Sequence, residues 1–562
     1  MSRKIVVIGG VAAGPKAAAR ARRLDPTAEI TIVEKGELLS YAGCGLPYYI
    51  SGMVEDRRQL MTTPIGVMRD PQFFAQVKDI QVLNRTEAVK IDRQAKEVEV
   101  QNVDSGEMQR LPYDKLILAT GADPVEPPIP GKDLENVWRL KQVEDADRFR
   151  EYLQRDACPN VVIIGGGLIG MEMTEAVLEC RGGVTIVEML PHLLPMIDAD
   201  LATLIEKHMR EVGVKVVTSA RVERMEGGTD GKVQSVVTSK GTFAADLVLL
   251  SVGIRPNVGL ARDAGLLIGP SGGIHVNDYM QTTDRDIYAA GDCAEKSCNI
   301  RGTDCFLPLG SVANKEGRVA GSNAVDHVDR FPGVLGATAL KLFDWNMGRA
   351  GLSVEQAAEL GIPIISATVS APDKPHYYPG NQPIILKLIA ERSNRRLIGI
   401  QGVGPGDVMK RIDVAITAMA ARMTVDDVAN LDLAYAPPFS EAMDVLIHGA
   451  NILRNKLDGL VSGVTSMQLQ AMRQAGEDLL LLDVRSPDEH QNGSIPGSVL
   501  VPLGAIRSRL DQIPKDRRIV AYCKTSLRAW ETVCILAGHG YENVEILDGG
   551  FLAWPFETRH GA

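Results

Sequence analysis

Lys4-Ile-Val-Val-Ile-Gly-Gly10 runs on to Ile30-Thr-Ile-Val-Glu34, and Asn160-Val-Val-Ile-Ile-Gly-Gly-Gly167 runs on to Val184-Thr-Ile-Val-Glu188. The two stretches repeat one pattern. An apolar run ends in glycines, a helix-length segment follows, and a second apolar run ends in a carboxylate. Glu34 comes 25 residues after Gly9, and Glu188 comes 23 after Gly165. Both spacings fit a strand–loop–helix–strand unit of about 30 residues. Glycines in such a loop let backbone N–H groups approach a pyrophosphate, and the helix N-terminus favours its charge. The terminal carboxylate is suited to accept from ribose hydroxyls. Two copies predict two dinucleotide sites. The second carries Gly165, Gly167 and Gly170, whereas the first has Gly9 and Gly14 but Val11 at the middle position.

Three further apolar runs end in tight turns. They are Leu116-Ile-Leu-Ala-Thr-Gly121, Leu247-Val-Leu-Leu-Ser-Val-Gly253 and Ile287-Tyr-Ala-Ala-Gly-Asp292. A proline-rich stretch, 124–130, marks a crossover between domains. Beyond about residue 333 the pattern mixes strands (383–389, 396–402) with an apolar helix (408–421), which predicts a separate α+β domain. The last hundred residues alternate short strands and helices again. The expected division is 1–120 with 247–330, then 121–246, 331–455, a linker at 456–466, and 467–562.

Composition bounds the partners. The 562 residues carry 61 Lys+Arg against 71 Asp+Glu, a formal net charge of −10, which argues against nucleic acid. No apolar run reaches the ~18 residues that span a bilayer, so no membrane is expected. Eight cysteines are too few for a disulfide scaffold in a chain this long, so the cytoplasm is the expected compartment and individual thiols read as candidate catalysts. Cys293, Cys298 and Cys305 form a loose group, but no histidine falls at ligand spacing, so no metal is expected.

Ser40-Tyr-Ala-Gly-Cys44-Gly-Leu-Pro-Tyr48 follows Glu34 closely. With the paired βαβ units, Ala119-Thr-Gly121 and Ala290-Gly-Asp292, it gives residues 1–450 a resemblance to the two-dinucleotide flavoprotein reductases. The resemblance implies FAD at the first site (Gly9, Gly14, Glu34, Lys35, Thr120, Asp292) and a nicotinamide cofactor at the second (Gly165, Gly167, Gly170, Glu188, Gly253). Glu188 would repel a 2′-phosphate, and no arginine follows it directly, which favours NADH over NADPH. Disulfide reductases of the glutathione-reductase type carry a second cysteine where this chain has Tyr49. Cys44 must therefore cycle through a mixed disulfide, a persulfide or a sulfenic acid.

The wording around Cys44 is similar to the coenzyme A disulfide reductase and persulfide reductase branch, with Gly43 where that branch often has Asn. Single-cysteine NADH oxidases and peroxidases share the plan, but they carry a histidine where this chain has Ala12. The glycines on both sides of Cys44 suggest close backbone approach to a ligand. The resemblance further implies a homodimer, in which Tyr435 of Ala434-Tyr-Ala-Pro-Pro-Phe-Ser440 and Tyr377 of His376-Tyr-Tyr-Pro-Gly380 act across the interface. It also implies coenzyme A phosphate contacts from Arg20, Arg23 and Ser40.

Leu482-Asp-Val-Arg-Ser-Pro-Asp-Glu-His490, Tyr522-Cys-Lys-Thr-Ser-Leu-Arg528 and Leu547-Asp-Gly-Gly-Phe-Leu-Ala-Trp554 resemble a rhodanese domain. Cys523 ends a strand and opens a loop into a helix. Loop N–H groups, the helix dipole and Arg528 suit a thiolate or a persulfide. Four residues separate Cys523 from Arg528, a ring sized for sulfur rather than phosphate.

The expected fold is thus α/β throughout: two Rossmann-like dinucleotide-binding domains of the disulfide-reductase flavoprotein type, an α+β dimerisation domain and an α/β rhodanese domain. The expected activity is NADH-dependent reduction of coenzyme A disulfide, coenzyme A persulfide or polysulfide through Cys44, with Cys523 handling sulfane sulfur. Low-molecular-weight thiols and persulfides are the expected partners. The alternatives are a sulfurtransferase with an accessory flavin reductase, or a single-cysteine NADH oxidase.

Overall fold

The computed structural model describes residues 2–155 and 158–560. The chain divides into two compact units, Met1–Met189 with Ala220–Val334, and Leu190–Ser219 with Leu335–Ala562.

The first unit is built around the repeat. In one parallel sheet the strands run Ile287–Ala289, Lys115–Leu118, Lys4–Ile8, Glu29–Val33, Gln81–Leu83. In the other, Gly183–Val187, Asn160–Ile164, Leu247–Leu250 and Val137–Trp138 follow one another. Asn160–Ile164 lies between its two partners as Lys4–Ile8 lies between Glu29–Val33 and Lys115–Leu118. The continuous apolar runs follow from burial on both faces. Val161, Val162, Ile163 and Ile164 are at most 4% exposed, and each such side chain contributes about 1.5–3 kcal/mol. The repetition goes beyond the two motifs, because each half also carries a three-stranded antiparallel meander. One is Thr86–Asp92, Glu97–Asn102, Met108–Pro112, and the other Val222–Gly227, Val233–Thr238, Gly241–Ala244.

The helix Ala13–Leu24 packs on Gly310–Asn323 almost backbone to backbone. A Cβ at Gly317 would fall 2.4 Å from the Ala13 carbonyl oxygen, and one at Gly321 would fall 2.3 Å from that of Ala17. Ala17, Ala18 and Ala21 are fully buried on this face. The alanine-rich sequence of the first helix is what permits the close crossing.

In the second unit an antiparallel sheet runs Thr338–Leu342, Trp345–Gly351, Leu397–Gly404, Pro383–Glu391, Ile364–Pro372. Helix Val408–Ala420 covers one part and Val445–Leu457 another. The C-terminal portion is a parallel sheet, ordered Gly463–Val464, Val544–Leu547, Arg518–Tyr522, Leu479–Asp483, Val499–Leu500. The stretch 456–466 is tied down at both ends. Lys456 belongs to helix Val445–Leu457 and Val464 to the sheet, and Lys456 Nζ meets Asp548 Oδ2 at 2.6 Å. Ser370 Oγ donates to the Gly549 carbonyl oxygen at 2.8 Å. Lys387 lies buried between Asp198 and Asp200, at 2.9 and 3.0 Å. Among the described residues no helix is long and apolar enough to cross a membrane.

Candidate active site

The glycine loops are shaped by their own carboxylates. Glu34 Oε2 accepts from Gly10 N at 2.6 Å, and Glu188 Oε2 accepts from Gly166 N at 2.7 Å. Glu34 Oε1 also accepts from Gly36 N. The strand-end carboxylates therefore hold the loops, a role that spacing alone does not reveal. Gly9 and Gly165 have φ of +112° and +107°, and a Cβ on either would strike a carbonyl oxygen at 2.1 or 2.2 Å. Gly14 and Gly170 sit against the carbonyl oxygens of Gly9 and Gly165. Gly167 and Gly253 meet no protein atom within 4 Å of a Cβ and leave room beside the second loop.

The first loop fits FAD. Asp292 Oδ1 is buried without a hydrogen-bond partner, and burial pushes the carboxyl above its ordinary range, so it suits a hydroxyl-bearing ligand chain. Thr120 Oγ1 donates to the Asn257 carbonyl oxygen at 2.6 Å, and Lys35 pairs with Glu87 at 3.0 Å. These two residues brace the site through protein contacts.

Cys44 occupies the short turn Gly43–Gly45 ahead of helix Leu46–Ile50. The turn is open, yet desolvation of the sulfur raises the thiol above its ordinary range, and the carboxylates of Glu172 and Asp292 act the same way. A Cβ at Gly310 would lie 3.7 Å from Cys44 Sγ, so the N-terminus of helix Gly310–Asn323 adjoins the thiol and opposes that shift. Glu172 itself is pushed to about 7, by burial first and by Glu175 second. Sequence reading passed over it, since it carries no motif of its own. The flanking glycines differ from each other. A Cβ at Gly43 would meet nothing, whereas one at Gly45 would strike Leu60 Cδ2 at 2.5 Å, so Gly45 answers to packing rather than to a ligand. Tyr49 donates to Asp147 at 2.8 Å.

Beside this turn lies a cavity of about 370 Å³, with Lys16, Arg23, Arg69 and Lys78 among its walls, and Ser40, Tyr41 and Ala42. Four cations around one cavity of an acidic chain favour a polyanion. Arg69 also donates to the Ser40 carbonyl oxygen at 3.1 Å. The structure thus brings Arg23 and Ser40 together. Arg20 is directed elsewhere, its Nε donating to Ser322 Oγ at 2.9 Å. Arg69 and Lys78 lie far along the sequence from the glycine loop and belong to no recognisable pattern.

In the second unit Tyr377 and Tyr435 are brought together. Both rings are exposed, and the Tyr435 hydroxyl raises the Tyr377 phenol through a side-chain hydrogen bond.

Cys523 follows the central strand Arg518–Tyr522, at its C-terminal end, with helix Leu527–Ala537 beyond. The residue is 1% exposed, and its carbonyl oxygen accepts from Phe551 N at 2.8 Å. The Arg528 guanidinium interacts with the Cys523 thiol and with Glu489, at 2.7 and 2.8 Å to the two carboxylate oxygens. Below the loop, Asp483 collects Arg485, His490 Nδ1 and the Tyr522 hydroxyl. Thr525, Ser526 and Leu527 face a cavity of about 280 Å³ whose opposite wall includes Glu441, His448 and Asn451.

Comparison with known proteins gives the family. The family model for pyridine nucleotide-disulphide oxidoreductases matches residues 3–317, its dimerisation domain matches 338–447, and a rhodanese-like domain matches 465–556. The chain belongs to the pyridine nucleotide-disulphide oxidoreductase family, whose members work with FAD and NAD(P)H. Among its relatives, an NAD(P)H sulfur oxidoreductase (CoA-dependent) of Pyrococcus abyssi is 38% identical over 455 residues, covering 81% of this chain and 99% of that one. The structure of an NAD-dependent persulfide reductase from A. fulgidus is 44% identical with a TM-score of 0.93, covering 98% of this chain and 100% of that one. Reduced Bacillus anthracis CoADR-RHD is 36% identical with a TM-score of 0.92, over 99% and 98% of the two chains. The last two matches extend through the rhodanese portion.

Proposed function

We propose that the protein is a homodimeric, NADH-preferring reductase of coenzyme A disulfide, coenzyme A persulfide or polysulfide, with Cys44 as its redox centre and Cys523 as a sulfane-sulfur carrier. The observation that carries this reading is the cationic cavity whose wall ends at Tyr41 and Ala42, two residues before Cys44. A phosphate-bearing thiol seated there would reach the turn with its sulfur.

The first loop, with Gly9, Gly14 and Asp292, would hold FAD, and the flavin would supply two-electron transfer between the nicotinamide and the sulfur. The remaining work falls to this chain. Cys44, exposed at the turn, gives up its proton to solvent, and the thiolate attacks a sulfur of the substrate. A mixed disulfide forms at Cys44, and a thiolate leaves. Tyr435 holds the Tyr377 phenol above its ordinary range, so Tyr377, with Tyr435 beside it, is suited to protonate the leaving sulfur of the partner subunit's substrate. Cys523 attacks the terminal sulfur of a polysulfide or small persulfide, the S–S bond breaks and the shortened thiolate leaves, and loop N–H groups and Arg528 stabilise the Cys523 persulfide that forms. A rhodanese-like portion and a phosphate-suited cavity favour sulfur over peroxide as the acceptor.

The test is anaerobic NADH oxidation by the FAD-loaded protein with coenzyme A disulfide, coenzyme A persulfide, polysulfide and peroxide, with sulfide measured in parallel. Turnover and sulfide release with persulfide or polysulfide, lost in Cys44→Ser, support the reading. Preference for peroxide overturns it in favour of an oxidase. Sulfur transfer that needs neither NADH nor Cys44 overturns it in favour of a sulfurtransferase.

A further inference from the structure

The three cysteines that follow Asp292 do not form one group. Cys293 is fully buried, with its thiol directed at the Leu118 and Ala290 carbonyl oxygens. Cys298 and Cys305 lie instead on a two-stranded hairpin, Lys296–Cys298 paired with Thr303–Cys305, and both are half-buried. The register sets Lys296 opposite Cys305 and Cys298 opposite Thr303, so both thiols leave the same face on one diagonal. Twist is greatest in two-stranded ribbons and draws one diagonal together. The cross-strand register thus makes Cys298 and Cys305 neighbours, close enough for each to act on the other's thiol.

The surroundings of the two sulfurs differ. Backbone N–H groups of Ile300 and Arg301 point at Cys298, and the Arg301 guanidinium adds its charge. Arg301 Nε is buried without a hydrogen-bond partner, so it is not consumed by another contact. The hydrogen bond from Cys305 is the largest influence and draws the Cys298 thiol down to about 6, while Cys305 is pushed up. A low-pKa thiol beside a resolving thiol is the arrangement of a redox-active pair.

We propose that Cys298 and Cys305 form a second thiol–disulfide exchange site, separate from Cys44 and Cys523, that reacts with small disulfides. The Cys298 thiolate attacks one sulfur of R–S–S–R, the Cys298–S–S–R bond forms, and R–S⁻ leaves. Cys305 then loses its proton to solvent and attacks the Cys298 sulfur. The Cys298–Cys305 bond closes, and a second R–S⁻ leaves. Two protein thiols are oxidised by two electrons, and the small disulfide is reduced to two thiols. Closure would stiffen the hairpin five residues ahead of Gly310, the residue that adjoins Cys44.

The experiment uses full-length, FAD-loaded protein, reduced and freed of reductant, then exposed to oxidised glutathione without air or NADH. Omitting NADH separates this test from turnover at Cys44. Arg301 lies between the two cysteines, so tryptic digestion yields two peptides joined only if the bond has formed. The expected result is that linked pair in the wild type, a glutathione adduct on Cys298 in Cys305→Ser, and none on Cys305 in Cys298→Ser. Native Cys298 is further expected to alkylate at pH 7 about tenfold faster than Cys305. Unlinked peptides in the wild type, or adducts in Cys305→Ser confined to Cys44 and Cys523, would overturn the proposal.

Discussion

Arg528 clasps Glu489 through two parallel hydrogen bonds while its guanidinium also reaches Cys523. The carboxylate fixes the plane of the cation, and so the direction from which the thiol is served. Glu489→Gln should lower sulfur transfer at Cys523 by about tenfold, with a stability change of only about 1 kcal/mol. Arg528 holds Glu489 down to about 2. A depressed carboxylate stabilises fully above its ordinary pKa and loses that contribution as pH falls through the lowered one. Sulfur transfer in the wild type should therefore keep this support down to acidic pH. Stopped assays of thiosulfate or polysulfide consumption from pH 4 to 8 read both effects. Equal rates in Glu489→Gln would show that Arg528 is oriented without it.

Arg69 and Lys78 share the cationic cavity with Arg23. Arg69→Ala and Lys78→Ala should each raise KM for coenzyme A disulfide about tenfold, equivalent to about 1.4 kcal/mol, with turnover on polysulfide little changed. Arg20→Ala should have a smaller effect, because Arg20 is turned to Ser322. A larger effect from Arg20 than from Arg69 would relocate the phosphate contacts.

Glu188 anchors Gly166, so it acts on loop shape and on cofactor charge together. Glu188→Gln should cut kcat/KM for NADH by about tenfold and for NADPH by less, which narrows the ratio between them. Equal losses with the two cofactors would assign the carboxylate to the loop alone.

Tyr377 and Tyr435 share a hydrogen bond, so their substitutions should not add. Tyr435→Phe is expected to lower kcat about tenfold with KM held, and the double phenylalanine variant to fall little further. Additive losses would mean that the two phenols work separately.

Lys387 is enclosed by Asp198 and Asp200, and those carboxylates raise it above its ordinary value. Lys387→Met leaves two buried carboxylates without their cation and should cost about 3–5 kcal/mol. A raised amine stabilises at pH values below its ordinary pKa and stops doing so as pH rises through the higher one. The wild-type benefit should then persist across neutral pH, as thermal unfolding from pH 6 to 10 would show. An unchanged melting temperature in Lys387→Met would contradict the coupling.

The parallel sheets were legible because strands buried on both faces must be apolar throughout, and the Gly9–Glu34 and Gly165–Glu188 spacings repeat. Cys44 and Cys523 stand out in the sequence because each lies in a glycine- or loop-rich signature. The antiparallel meanders do not, since their half-exposed strands alternate weakly. Glu172 and Arg69 gain their meaning only from tertiary neighbours, as does the grip of Glu34 and Glu188 on the loops. The same holds for Arg20, which stands three residues before Arg23 on the same helix but is turned to Ser322.

The joint between the dimerisation and rhodanese portions has a consequence for anyone dissecting the chain. Lys456 with Asp548, and Ser370 with Gly549, are buried attachments rather than a tether. The chamber facing Thr525, Ser526 and Leu527 takes its far wall from helix Val445–Leu457 and the strand beside it. A gene cut at residue 460 would release a rhodanese with half of its vestibule missing and a naked Asp548. Its choice of sulfur donor would then be a property of the excised piece, not of the enzyme. Swapping in a rhodanese from another source would meet the same obstacle, because helix Val445–Leu457 of this chain lines the cavity that the Thr525–Leu527 loop faces.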